Sequence, residues 1–296
     1  MENLMAFSDH FGAQHQAYLT KGQDYRKMFT EAVDEFFEDQ DHHLYIAGQP
    51  GVGKTFTVEK LAEEKNIKML SIKGNMSPWA FVKLIAVGVY LLKPKEFLAV
   101  YIDDMNDLFV PSKGFLDMFK IAMDSKAKGG DCLQYNVSLG AQYTQAEDLE
   151  KEAIDHWKNM DPNRTGFIVP FDGRVKFIFT MNTPLATKQD MEKYETGSSK
   201  WVPLNNKHAI YSRVTPEDLI MDQETYWGWI ADVVWNDNMC QGATDDQKAE
   251  MLDWLWDNWD NAKETSVRFV EDKLWRYMAK YPNKRDYRAR WEKQKV

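Results

Sequence analysis

The nine residues AGQPGVGKT, Ala47 to Thr55, constrain this chain more than any other stretch. They satisfy the pattern G-x-x-x-x-G-K-[ST], with a β-prone run (HLYIAG) before them and a helical pattern from Lys54 to about Lys65 after them. In that setting each residue type has a physical task. Gly48, Gly51 and Gly53 let the backbone bend until successive N–H groups point inward at phosphate oxygens. The helix that follows adds its positive end. Lys54 supplies a mobile charge for terminal phosphates, and the Thr55 hydroxyl suits Mg²⁺. Pro50, Val52 and Phe56 complete the candidate nucleotide-contacting run. The prediction is a bound nucleoside triphosphate, but kinases, motors, helicases and ring-forming machines all use such a loop.

A partner for the loop stands 48 residues beyond Thr55. FLAVYIDD is an apolar strand that ends in two acids. Its end delivers Asp103, which can hold Mg²⁺ through water, and Asp104, which can polarise an attacking water. IKMLSI reads as a second strand, and RVKFIFTMN (Arg174 to Asn182) as another of the buried kind. Helical patterns lie between them at residues 24–38, Trp79 to Leu92 (with Pro94 ending it) and GFLDMFKIAMD. Nearly all-apolar strands alternating with helices predict a parallel α/β sheet covered by helices on both faces.

An elaboration at about residues 129–173 interrupts that rhythm. LQYNVSL alternates like a half-exposed strand, TQAEDLEKEAIDHWKNM is a helix that Thr144 and Glu147 can cap, and GFIVPFDG returns to the sheet. The elaboration sets Lys151, Lys158 and Arg164 against eight acids, a poor composition for gripping phosphate. After about Thr215 the β pattern stops and three helical patterns follow, the middle one with Thr244 and Gln247 at capping-box positions. Eight of the eleven tryptophans fall there. The chain therefore reads as an α/β domain over residues 1–215 and a small helical domain over 216–296.

The whole-chain figures exclude several classes. With 44% apolar and 28% charged residues the chain is globular rather than disordered. A net charge of −9 argues against coating nucleic acid with the whole surface. The basic tail KYPNKRDYRARWEKQKV has seven Lys/Arg against two acids, interleaved with Tyr281, Tyr287 and Trp291. It suits either a nucleic-acid strand or a terminal helix packing its rings inward. Two distant cysteines, Cys132 and Cys240, fit a reduced, cytoplasmic setting, the host's if the protein is viral. The longest apolar stretch, Trp79 to Leu92, is shorter than the about 20 residues a membrane span needs. His42 and His43 have no other metal-type residues at ligand spacing.

The order of these motifs resembles that of AAA+ ATPases over roughly residues 20–280, within the P-loop NTPase class. In that family an Asn at a strand tip (sensor 1), an arginine finger and a lid arginine (sensor 2) follow the acid-bearing strand. FIFTMNT places Asn182 in the first position, HAIYSRV places Arg213 in the second and TSVRFVEDKL places Arg268 in the third. The resemblance implies ATP and Mg²⁺ as cofactors and a homo-oligomer, a hexamer or other ring. Asn182 would orient the attacking water, and Arg213 would reach into the neighbouring subunit's site. Arg268 would draw the lid toward the γ-phosphate. The family's usual Glu is Asp104 here, one methylene shorter, which implies slow hydrolysis. The elaboration resembles the pre-sensor-1 insertion of one branch, and the compactness resembles single-module bacteriophage members.

Two kinds of remodelling fit. The SR-type finger and basic tail favour DNA-linked work in replication or recombination. The acidic body and insertion favour a chelatase-like protein remodeller. A P-loop small-molecule kinase and a nucleotide-gated binding module with negligible hydrolysis are the other classes.

Overall fold

The apolar runs and helical patterns become a sheet and its connections. The computed structural model describes residues 7–38, 43–74, 76–104, 115–124, 131–135, 143, 146–160, 166–182, 210–237 and 239–296. The strands are β1 (His43–Gly48), β2 (Lys68–Lys73), β3 (Leu98–Asp103), β4 (Cys132–Tyr135), β5 (Phe167–Pro170), β6 (Val175–Met181) and β7 (Val214–Leu219). The helices are α1 (Ala13–Glu38), α2 (Lys54–Glu64), α3 (Pro78–Tyr90), α4 (Phe115–Ala122) and α5 (Asp148–Met160). They continue with α6 (Gln223–Asn236), α7 (Asp245–Asp257), α8 (Val267–Phe269), α9 (Arg276–Lys280) and α10 (Lys284–Trp291). The chain divides into two compact units. One comprises Ala32–Ala47 and Thr55–Asp218, and the other comprises the residues up to Glu31, Gly48–Lys54 and Leu219–Val296.

In the α/β unit the sheet order is β2-β3-β6-β1-β7. The pairs β2/β3, β3/β6 and β6/β1 are all parallel. Parallel strands covered on both faces must be apolar throughout, and β6 is buried at every position while β3 is buried up to Asp103. The charged exception inside β6 is Lys176, 1% exposed. Its ammonium donates to the Phe36 carbonyl at 3.0 Å and lies 4.4 Å from the centroid of the Phe97 ring. The charge thus meets a carbonyl from the last turn of α1, where cations are favoured.

The sequence pattern ends the β structure at about Thr215, whereas β7 runs on to Leu219. Its sequence, VTPEDL, carries a proline and two acids and does not alternate cleanly. Those are marks of a strand at the rim of a sheet, and β7 is the last in the order.

The elaboration folds as a two-stranded antiparallel sheet, β4 with β5, with α5 between them in sequence. It is fastened to α3. Trp157 donates its indole N–H to the Ala86 carbonyl at 2.9 Å, Lys83 pairs with both Glu150 oxygens at 2.8 Å, and Trp79 stacks on Tyr135. Ser77 caps α3 by accepting from the Ala80 N–H, and Pro78 occupies the first turn. The predicted cap Thr144, as well as Arg164 and the centre of LQYNVSL, lie outside the described residues.

The helical unit is built on tryptophan. Trp227, Trp229 and Trp291 are each at most 1% exposed. Their indoles need acceptors when buried. Trp227 donates to the Leu252 carbonyl at 3.1 Å and Trp291 to the Leu274 carbonyl at 3.0 Å. Thr244 and Gln247 form the predicted capping box at the start of α7. Where α1 crosses α6, Gly22 faces the backbone of Gly228 and Trp229, and Gly228 faces that of Tyr18. A Cβ at either glycine would overlap main-chain atoms. Among the described residues no helix is long and apolar enough to cross a membrane.

The basic tail turns its rings inward. Tyr287 is 6% exposed and Trp291 is fully buried, while the Arg290 guanidinium covers Tyr281 at 3.9 Å from its centroid. Arg288 donates from Nε to Glu250 at 2.7 Å, and Lys284 pairs with the same carboxylate. Two of the tail's three rings are thus packed inward, and Tyr281 is covered by a guanidinium.

Candidate nucleotide-binding site

The loop that follows β1 owes its course to two left-handed glycines. Gly51 and Gly53 have φ of +79° and +74°, values costly for any residue with a Cβ. Space restricts the loop as well. A Cβ on Gly51 would meet Ser266 Cβ at 2.6 Å, and one on Gly48 would meet Leu219 Cβ at 2.8 Å. Val52 is buried and Pro50 exposed. Lys54 is 8% exposed, and its ammonium donates to the carbonyls of Gly48 (2.7 Å) and Gln49 (3.0 Å). The first turn of α2 carries no acid that would compete with an anion at its positive end. Phe56, in that turn, is 62% exposed.

The α/β unit holds a second group of chemistry-bearing residues at the carboxyl ends of its strands, where open α/β sheets place their ligands. Thr55 donates its hydroxyl to Asp103 Oδ2 at 2.9 Å. Thr180, opposite Asp103 in the β3/β6 register, donates to Oδ1 at 2.8 Å. The Tyr101 hydroxyl reaches both threonine oxygens, at 3.0 Å from Thr55 and 2.8 Å from Thr180. Each threonine proton is already directed at Asp103, so the one phenolic proton is shared between two acceptors. Burial pushes the Tyr101 phenol above its ordinary value, which keeps that proton in place. Thr55 Oγ1 and the Asp103 carboxylate are hard oxygen donors of the kind Mg²⁺ takes alongside phosphate and water. The donor set fits the ion.

Asp104 leaves the strand in a left-handed conformation, φ +50°. That conformation is accessible to aspartate at modest cost. Its N–H donates to the Thr180 carbonyl at 2.9 Å, and its carboxylate accepts from Asn182 Nδ2 at 3.2 Å. Because β6 lies between β1 and β3, Asn182 emerges between the carboxyl ends of those two strands. The unit therefore brings Thr55, Asp103, Asp104 and Asn182 into one connected set.

Arg213 precedes β7 in the same unit and forms a 2.9 Å ion pair with Asp124. Neither partner of that pair belongs to the strand-tip set. Arg268 lies in the helical unit, exposed on the single turn of α8, whose cap Ser266 accepts from the Phe269 N–H at 3.0 Å. A π-helical segment, Val270–Trp275, follows it directly. Cys132 and Cys240 are free thiols, and burial pushes that of Cys240 up to about 12. His42 is outside the described residues, while His43 Nδ1 accepts from the Phe177 N–H at 3.1 Å.

Sequence reasoning missed Tyr101 and Thr180. Both stand inside runs that read as ordinary strand, VYIDD and FIFTMN. The available signal was positional, because a hydroxyl two residues before each strand tip shares a side of the sheet with the tip residue.

The parallel order and the glycine-lysine loop after β1 define a P-loop NTPase-type α/β fold with a helical region after it. No protein-family model matches the chain, and no curated protein does. Among solved structures it is similar to RuvB of Thermotoga maritima, described as a Holliday junction branch migration motor. The identity is 12%, the match covers 91% of this chain and 68% of that one, and the TM-score is 0.44. Two single-substitution variants of the same protein match at 11% and 12% identity, covering 93% and 92% of this chain and 69% and 68% of theirs. Their TM-scores are 0.48 and 0.42. The strand order and pairings define the fold independently of these superpositions.

Proposed function

We propose that the chain is an AAA+-type ATPase that binds ATP with Mg²⁺ and hydrolyses it in a homo-oligomeric ring or arc, a hexamer or similar, to remodel a macromolecule. The observation that carries this reading is the connected set at the strand tips. Thr55 and Asp103 lie 2.9 Å apart, and Asn182 touches Asp104 on the strand between β1 and β3.

In this reading residues 1–215 form the nucleotide domain and 216–296 the lid. The run Gly48, Pro50, Gly51, Val52, Gly53, Lys54, Thr55 and Phe56 contacts the nucleotide, with Lys54 turning from its carbonyls to the terminal phosphates. Mg²⁺, held by Thr55 and through water by Asp103, supplies charge stabilisation on the transferring group. Asp104 accepts the proton of the attacking water while Asn182 fixes the carboxylate's orientation. Arg213 leaves Asp124 to act on a neighbour's site, and Arg268 links nucleotide state to the lid.

Work on DNA, in replication or recombination, is supported by the SR-type finger and the basic tail. A protein substrate is supported by the acidic insertion and by the burial of Tyr287 and Trp291, which takes stacking platforms from the tail. Turnover measured while titrating single-stranded DNA, duplex DNA and candidate proteins separates the two. Size measurement with and without a non-hydrolysable ATP analogue tests assembly, and a strict monomer in both conditions would favour the kinase class.

A further inference from the structure

Within its own unit, the outer edge of the phosphate loop is tied to the segment 221–226 at two consecutive residues. The Gln49 side-chain amide brackets Met221, donating from Nε2 to its carbonyl at 2.8 Å and accepting from its N–H at 3.4 Å. One residue on, the Tyr226 hydroxyl donates to the Pro50 carbonyl at 2.7 Å. Tyr226 is 5% exposed on α6, with the edge of Trp259 against its ring at 5.8 Å between centroids. Asp222 caps the same helix by accepting from the Thr225 N–H at 2.8 Å, so the tyrosine stands on a fixed first turn. Burial, reinforced by the charge of Glu264, pushes the phenol above its ordinary value. It is a donor throughout the neutral range.

A peptide group is planar, and none in the described structure is cis. Fixing the Pro50 carbonyl toward Tyr226 therefore points the next N–H, that of Gly51, the opposite way. Gly51, with φ of +79°, has no Cβ to hold that peptide plane by itself. Proline at 50 restricts only its own φ, so the plane that follows it is set by what holds its carbonyl.

We propose that Tyr226 is a positioning residue for phosphate binding: its hydroxyl fixes the Pro50–Gly51 peptide so that the Gly51 N–H is preset toward phosphate, with Gln49 anchoring the preceding residue. This rests on the reading of residues 48–55 as a nucleotide site. Without the hydroxyl the peptide rotates in the unliganded protein and must be ordered on binding, an entropy cost that weakens affinity about fivefold to tenfold.

The test is binding of ATP and of inorganic tripolyphosphate to the full chain and to Tyr226→Phe, Gln49→Ala and Lys54→Ala, by calorimetry. Tyr226→Phe keeps the ring and its packing. It is expected to weaken both ligands by the same factor, because the defect is confined to the phosphate cradle. Gln49→Ala is expected to act in the same direction with a smaller factor, and it stands in if the tyrosine variant folds poorly. Wild-type affinity in Tyr226→Phe overturns the proposal, and so does a loss for ATP with tripolyphosphate unchanged. If Lys54→Ala binds ATP as the wild type does, the nucleotide reading itself fails, a result separate from either.

Discussion

The two units bury polar groups in opposite ways. In the helical unit each one serves a local need. Ser266 caps α8, Asp232 takes Arg26 (2.6 Å), Gln23 and Asn236, and the indoles of Trp227 and Trp291 each meet one carbonyl. In the α/β unit Tyr101, Thr180, Thr55 and Asp103 converge on one another at the ends of otherwise apolar strands. Dispersed polar groups hold an architecture together. Groups that converge at strand ends make a connected set in which removing one member disturbs the others.

The largest expected effects are catalytic. Asp104→Asn should bind ATP but lose turnover by about 100-fold or more, and Arg213→Ala should bind and assemble but lose about 1,000-fold. Steady-state ATPase beside nucleotide binding checks both, and normal turnover in either variant removes that residue from the mechanism. Next comes architecture. Trp227→Ala should cost about 3–5 kcal/mol in denaturant unfolding, through the cavity it leaves.

A matched pair of threonines then sharpens the contrast between the units. Thr180→Val removes one member of the convergent set and should cost about 1–2 kcal/mol together with much of the turnover. Thr244→Ala removes a cap and should cost about 1 kcal/mol with turnover intact. Equal effects of the two on turnover would erase the distinction.

The smallest effect is a pH dependence at the opposite end of the sheet. Burial, then the charges of Asp218 and Glu35, raises Glu217 above its ordinary 4.5. A carboxyl raised on folding binds its proton more tightly in the native state, so it destabilises as pH climbs from about 4.5 through the raised value. Glu217→Gln should therefore unfold less readily at pH 7, by under about 1 kcal/mol, and lose that advantage below about pH 4. A gain that persists in acid would place the cause elsewhere.

Much of this was legible in the sequence where one residue type has one use. Strands β1, β2, β3 and β6 announced themselves as apolar runs, and the phosphate-loop glycines by their spacing. The first half of α1 did not. AQHQAYLTKGQ has weak apolar periodicity and a mid-helix glycine, which pattern reasoning treats as a break. Tertiary contact overrode that preference, because Gly22 is where α6 approaches. β7 hid behind Pro216, Glu217 and Asp218. Thr180 hid because a hydroxyl in a strand acquires meaning only once the register puts it opposite an acid, and Tyr101 because its partners, Thr55 and Thr180, lie 46 and 79 residues away. The ion pair of Arg213 with Asp124 joins residues 89 apart, a distance no spacing rule spans.

The crossing at Gly22 and Gly228 also limits how this chain can change. Most packing defects can be relieved by a compensating substitution in the facing residue, where a larger side chain on one side is met by a smaller one on the other. Here both facing residues are already the smallest available, and each looks onto main chain. A side chain gained at either position has no partner left to shrink. Reversion is the only local repair, and selection for function would be expected to leave these two positions without variation even though neither touches a ligand.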